Sequence, residues 1–183
     1  MKPLVLLAAC AALLLPGCAS ADAGDDDGRM PVTAAFYPLQ FVAERVGGQH
    51  VRVTPLTKPG VEPHDLELTP KAVGSLARAR AVLYLAGFQP AVDQAVRTQA
   101  RDAGVDVTSA ARLLAGAGDA HEGESEEEHS EHTGEGALDP HFWLDPTRLA
   151  AVATALGEDL ARRDPPNAAA YRANAAALVA DLG

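Results

Sequence analysis

The sequence predicts an α/β fold, a parallel βαβ sheet flanked by helices. Three observations carry that reading. Short strand-like runs alternate with helical ones from residue 30 onward. Residues 81–86, Ala-Val-Leu-Tyr-Leu-Ala, form a run without a charge, as expected of a strand buried on both faces. The dipeptides Thr69-Pro70, Asp145-Pro146 and Asp164-Pro165 each pair a capping side chain with a proline, which lacks only the N–H that a helix start leaves unpaired. Strands separated by helices imply parallel pairing with right-handed crossovers.

The elements follow in order. Residues 30–36 read as a short strand. Pro38 opens a helical pattern through Leu39, Val42, Ala43 and Val46, and Gly47-Gly48 ends it. Residues 50–56 set Val51, Val53 and Pro55 against Arg52 and Thr54, the alternation of a strand. A loop stiffened by Pro59 and Pro63 covers 57–68. The helix capped by Thr69 is expected to run to about residue 80, where the buried strand begins. A helix over 90–103 leads through Gly104 to a strand at 105–108. Residues 116–136 are rich in glycine and charge and poor in apolar side chains, so a disordered loop is expected there. A helix over 146–163 places Leu149, Val152, Leu156 and Leu160 on one face. A last, Ala-rich helix with Tyr171, Leu178 and Val179 is still helical in pattern at Gly183. The body of the fold is thus expected over residues 30–163.

The amino terminus has a different character. Lys2 precedes an almost unbroken apolar run over 4–15. That run is shorter than the ~20 residues a membrane span takes, and its layout is that of a secretory signal over residues 1–17. Leu15-Pro16-Gly17-Cys18 resembles a bacterial lipobox, which implies cleavage before Cys18 and lipid on its sulfur. Cys10 would leave with the signal, so no thiol remains for a disulfide, a Cys-rich zinc site or a cysteine nucleophile. Residues 18–29 are small and acidic and suit a flexible tether to the outer face of the cell membrane.

The formal charge of −10 is concentrated in one place. Residues 119–135 hold eight acids and neither Lys nor Arg, and the rest of the chain is near neutral. No basic stripe points to nucleic acid. There is no Gly-x-Ser-x-Gly, no phosphate-cradling glycine loop and no His-Glu-x-x-His pair, so an enzyme is not expected.

Histidines carry the chemistry. His64 lies in Glu62-Pro63-His64-Asp65, and His141 in Asp139-Pro140-His141-Phe142-Trp143-Leu144-Asp145-Pro146. Each imidazole sits in a proline-stiffened stretch with a carboxylate nearby. Neutral imidazole is the commonest metal ligand, and an adjacent carboxylate can fix its tautomer or join the coordination shell. Glu62, Asp65 and Asp139 are the candidates for either role. Phe142 and Trp143 could form an apolar wall beside the ion; alternatively Phe142, Trp143 and Leu144 anchor the core and His141 is merely adjacent. His121, His129 and His132 lie among the acids of the 116–136 tract and could recruit metal weakly. A floppy loop should not be the tight site, because ordering it costs ~1–2 kcal/mol per residue.

Three stretches together resemble the zinc/manganese substrate-binding proteins of bacterial ABC transporters. They are Val32-Thr33-Ala34-Ala35-Phe36-Tyr37-Pro38-Leu39, Pro63-His64-Asp65 followed by Leu68-Thr69-Pro70, and the Asp139–Pro146 stretch. Tyr171-Arg172-Ala173-Asn174 is similar to the start of the helix that joins the two lobes in that family. The resemblance implies two α/β lobes joined by a rigid linker helix, with metal in the cleft between them. Residues 30–163 would then be the amino-terminal lobe and 164–183 the start of the linker. His64 and His141 match the family's two histidine ligands from that lobe. The acidic His-containing insertion resembles that of the zinc branch, which favours Zn²⁺ over Mn²⁺. The implied role is capture of Zn²⁺ outside the membrane by a monomeric, lipid-anchored receptor that delivers it to an ABC permease and its ATPase. The family's remaining ligands come from a second lobe and match no residue here, and the chain reads as truncated. The stretch Gly87-Phe88-Gln89-Pro90 also lacks the glutamate often found soon after the corresponding glycine. A metal-buffering or adhesion lipoprotein on the same scaffold, and a metal-dependent hydrolase, are the alternatives.

Overall fold

A computed structural model describes residues 27–58, 60–64, 66–116 and 138–183. The signal, Cys18 and most of the expected tether lie outside the described residues. Among those described, no helix is long and apolar enough to cross a membrane.

The chain runs β1 (Met30–Ala34), α1 (Tyr37–Gly47), β2 (Val51–Pro55), α2 (Pro70–Leu76), β3 (Ala81–Tyr84), α3 (Pro90–Gln99), β4 (Gly104–Asp106) and α4 (Thr108–Ala111). It continues through β5 (Leu114–Ala115), β6 (Leu138–Asp139), α5 (Pro146–Arg163) and α6 (Ala168–Leu182). Four strands form one parallel sheet in the order β2-β1-β3-β4. The α/β class and the parallel sheet are those the sequence predicts. Residues 81–83 are fully buried, as the uncharged run required, and β1 beside them hides Val32, Thr33 and Ala34.

The order matters for function. The chain steps from β1 outward to β2, then crosses back to place β3 on the other side of β1. Such a reversal opens a crevice at the carboxyl ends of the two central strands, where ligands of open α/β sheets bind.

Several boundaries differ from the sequence reading. β1 and β3 each end two residues early, at Ala34 and Tyr84. The helix expected from Asp164-Pro165 begins as a 3₁₀ turn over Pro165–Asn167, without a side-chain cap from Asp164, and α6 starts at Ala168. α2 stops at Leu76 rather than near residue 80. Gly74 and Ser75 are weak helix formers, and the Arg80 N–H donates to the Pro31 carbonyl at 2.8 Å, which draws the chain into the sheet. α3 ends at Gln99, and residues 101–103 tighten into a 3₁₀ turn. The strand expected at 105–108 ends at Asp106, whose carboxylate accepts from the Thr108 N–H (3.0 Å) and hydroxyl (2.6 Å) and starts α4. The two-residue antiparallel pair β5–β6 was not anticipated at all.

α5 and α6 close the other side of the body. Leu149, Val152, Leu156 and Leu160 of α5 share one core with Tyr171, Ala175 and Leu178 of α6. Gly157 permits the approach, because a Cβ there would sit 2.8 Å from the Ala175 methyl and 3.3 Å from the Tyr171 carbonyl. Arg172 clasps Glu158 through two 2.9 Å bonds. At the amino edge of the sheet, Arg163 donates to the carbonyls of Arg80 (2.9 Å) and Asp102 (3.0 Å). That edge is thereby tied shut on the side away from the crevice.

Two outcomes follow. Gly157→Leu forces the helices apart and is expected to destabilise the fold by about 1–3 kcal/mol, read from urea unfolding. Asp164 accepts from the Tyr171 hydroxyl (2.6 Å) and the Asn167 amide (2.8 Å), and the Tyr171 bond chiefly holds its carboxyl below the ordinary range. A depressed carboxylate contributes stability that is full above its unfolded pKa of about 3.9 and is lost as pH falls through its folded value. Asp164→Asn should therefore flatten the acid limb of the stability–pH curve below about pH 4 while leaving its shape near neutrality unchanged.

Candidate metal centre

The loop that carries His64 leaves the carboxyl end of β2. Its first residues are pinned over β1, with the Leu56 N–H on the Ala34 carbonyl (2.9 Å) and the Thr57 hydroxyl on the Ala35 carbonyl (2.7 Å). The loop then turns at Glu62-Pro63-His64, where the Glu62 Oε1 accepts the His64 N–H at 3.2 Å. The same oxygen lies 3.9 Å from His64 Nε2, too far for a hydrogen bond but near enough to face a shared ion.

His141 follows β6. A 3₁₀ turn over Phe142–Leu144 separates it from α5. Asp145 is committed to capping α5, since its Oδ1 accepts the Thr147 N–H at 2.8 Å. Asp139 has a different task. Its Oδ1 accepts the His141 backbone N–H at 2.9 Å and meets Nδ1 at 2.7 Å. Those two bonds, the backbone one first, hold its carboxyl below the ordinary range, so it is ionised. A carboxylate can only accept, so Nδ1 carries the proton and the Nε2 lone pair is left for a ligand.

The two imidazoles converge. Their centroids are 6.0 Å apart and their planes are inclined by 51°. A zinc ion held ~2.0–2.1 Å from one nitrogen of each ring would set the centroids about 5–6 Å apart. Both side chains remain partly open, 37% and 45% exposed, so an ion has a way in.

An aromatic floor supports them. Phe88 meets His64 edge to face at 4.5 Å, and Trp143 meets His141 at 5.1 Å. Phe36, at the exit of β1, touches both Phe88 (4.9 Å) and Trp143 (5.4 Å). Phe36 and Phe88 therefore bridge the crevice between β1 and β3. Of the residues after His141, Phe142 is buried in the core, Trp143 is half-buried against the ring, and Leu144 is 76% exposed. Phe142 thus anchors the core and Trp143 packs against the His141 ring, whereas Leu144, expected to anchor with them, stands in solvent. A cavity of ≈ 380 Å³ opens beside His64, lined by Leu85, Phe88, Leu138 and Pro140 among others. A larger one of ≈ 600 Å³ lies on the far side of Trp143, and neither histidine lines it.

Glu62, His64, Asp139 and His141 are thus brought to one edge. Asp65, His121, His129 and His132 lie outside the described residues. Among those described, no group of three or more His, Cys, Asp or Glu side chains is arranged to hold a metal. Sequence reasoning missed Phe36, Phe88 and Gln89. Gln89 is 2% exposed, and its amide donates to the Pro63 carbonyl at 2.7 Å. The available signal was an aromatic and an amide directly after a glycine at the exit of a buried strand, and Gly87 does turn there with φ of +84°.

A parallel α/β lobe with two imidazoles at the sheet reversal has the fold of a periplasmic metal receptor. The chain belongs to the ZnuA family, described as zinc-uptake complex component A, periplasmic, and the match covers residues 32–183. The zinc-binding protein AdcA of Streptococcus pyogenes is 30% identical over 172 residues, 85% of this chain and 32% of that protein. The zinc-binding lipoprotein AdcA of Streptococcus pneumoniae is 29% identical over 97% of this chain and 35% of its own length. A crystal structure of a ZnuA deletion mutant with zinc bound superposes with a TM-score of 0.68 at 30% identity, covering 84% of this chain and 54% of that one. The chain spans about a third of the length of these curated relatives. Their names speak of zinc binding and of no catalysed reaction.

The tautomer is directly checkable. Long-range ¹H–¹⁵N NMR of the metal-free protein should show His141 protonated at Nδ1, and Asp139→Ala should release the ring into a mixture of tautomers.

Proposed function

We propose that this chain is the amino-terminal lobe of an extracytoplasmic receptor that captures Zn²⁺ and delivers it to an ABC permease and its ATPase. His64 and His141 supply the imidazole ligands. The observation that carries this is their convergence at 6.0 Å over an aromatic floor, with Asp139 holding the His141 tautomer that leaves Nε2 available. Zinc accepts imidazole nitrogen readily, whereas manganese favours more oxygen, and the relatives are named for zinc.

Two histidines leave zinc short of its usual four ligands. Glu62, 3.9 Å from His64 Nε2, is placed to add an oxygen, and Asp65 is the other candidate. A second lobe would supply the rest. The surface supports that arrangement: the large apolar side chains that stand exposed among the described residues, Tyr37, Val61, Leu114, Leu138 and Leu144, all lie on or beside the edge that bears the histidines. Exposed apolar surface gathered in one region marks a contact face. In this reading α6 is the start of the linker helix, Cys18 carries the lipid, residues 18–29 form the tether, and His121, His129 and His132 collect metal near the cleft. The relative named as a lipoprotein supports the anchor. The receptor acts as a monomer.

Calorimetric titration with Zn²⁺ tests the ligand assignment. His64→Ala and His141→Ala should each weaken binding by more than the ~10–100-fold that loss of an outer carboxylate partner costs, and Asp139→Ala should fall within that range. Affinity should also decline on acidification, because protons compete for the coordinating nitrogens. Wild-type affinity in both histidine variants would remove the assignment.

A further inference from the structure

We infer that Gln89 is a positioning residue for the metal site, setting where the His64 loop stands relative to His141. The inference rests on the proposed roles of those two histidines and deepens that reading.

Thr33 and Gln89 are the buried polar side chains among the described residues, at 3% and 2% exposure. Thr33 lies inside β1. Gln89 lies at the carboxyl edge, at the start of α3, where a buried amide needs a partner or costs stability. Its partner is the Pro63 carbonyl, 2.7 Å away and 26 residues back in the chain. That carbonyl immediately precedes His64. The bond therefore joins the exit of β3 to the loop leaving β2, two strands that are not neighbours in the sheet.

Gln89 is itself held. The Gly87 N–H donates to Asp93 Oδ2 at 3.0 Å, and the Ala86 N–H donates to Asp106 Oδ1 at 3.2 Å. These carboxylates fix the turn that presents Phe88 and Gln89 together. Phe88 packs its ring against His64 at 4.5 Å while Gln89 grips the residue before it. One contact sets the orientation of the imidazole and the other sets the height of its backbone. The described residues at the loop's tip, Lys58, Gly60, Val61 and Glu62, stand exposed.

The bland account is that Gln89 merely satisfies a buried polar group. The two accounts separate on metal affinity. Gln89→Met keeps the length of the side chain and removes its N–H donors. Arg163→Ala serves as the control: it loses structural bonds at the opposite edge and touches nothing near the histidines. Zinc affinity of the intact protein, measured by competition with a chromogenic chelator, should fall about tenfold in Gln89→Met and stay at the wild-type value in Arg163→Ala. Thermal unfolding of both in the metal-free state reports their structural cost. Wild-type affinity in Gln89→Met alongside weakened binding in His64→Ala would overturn the inference and leave the ligand assignment standing. Equal weakening in Gln89→Met and Arg163→Ala would overturn it as general destabilisation. Undiminished binding in His64→Ala would end both readings.

Discussion

Burial of β1 and β3 on both faces constrains everything around the site. Strands covered on both sides must be joined by helices that lie over those faces, so every connection returns across the sheet. When the chain reverses its direction of winding between β1 and β3, the two carboxyl ends lie adjacent with their onward loops diverging. Among the described residues no helix covers that gap, because the helices on either side start from its rim. The crevice is a consequence of topology before any functional residue is placed in it.

What fills the crevice is aromatic. Phe36 from one lip meets Phe88 from the other, and Trp143 joins them from the turn before α5. Ring pairs of this kind contribute about 0.5–1.5 kcal/mol each beyond their buried area. The exposed ion pairs of Arg172 with Glu158 and Arg45 with Asp181 are screened by solvent and lie on helix surfaces away from the rings. The precision of the site therefore rests on the aromatic floor and on hydrogen bonds made in its shelter. It owes little to those surface ion pairs. The two histidines are steadied differently: His141 through the carboxylate two residues before it, His64 through a ring and an amide delivered by the next strand.

Much of this was legible in the chain. The uncharged run at 81–86, the Pro-marked helix starts and the Val51/Val53 alternation each depend on local chemistry, and each element they predicted is present. His64 and His141 were legible because a proline and a carboxylate beside an imidazole are local features too. Of two boundary errors, one was local and one was not. Asp106 ended a strand early by binding Thr108, and the Arg80 N–H ended α2 by pairing with Pro31. Both were competitions between propensity and a specific partner, and only the second partner was remote. The stretch that holds Gln89 was noted only for a glutamate it lacks. The bond from Gln89 to Pro63 could not be inferred from either segment by itself.

The sequence by itself determined the four sheet strands and the main helices, which strand is buried, and which imidazoles have a carboxylate within reach. Those properties depend on neighbours within a few residues, where side-chain period, capping and proline geometry act. Only the tertiary structure decided that His64 and His141 stand 6.0 Å apart, that Phe36 and Phe88 floor the space beneath them, and that Asp139 rather than Asp145 holds the His141 ring. The last is settled where α5 begins, because capping takes Asp145 and leaves Asp139 for the ring. The first two depend on strand order, and strand order is fixed by which hydrophobic faces pack together across the whole body. No window of residues carries that information.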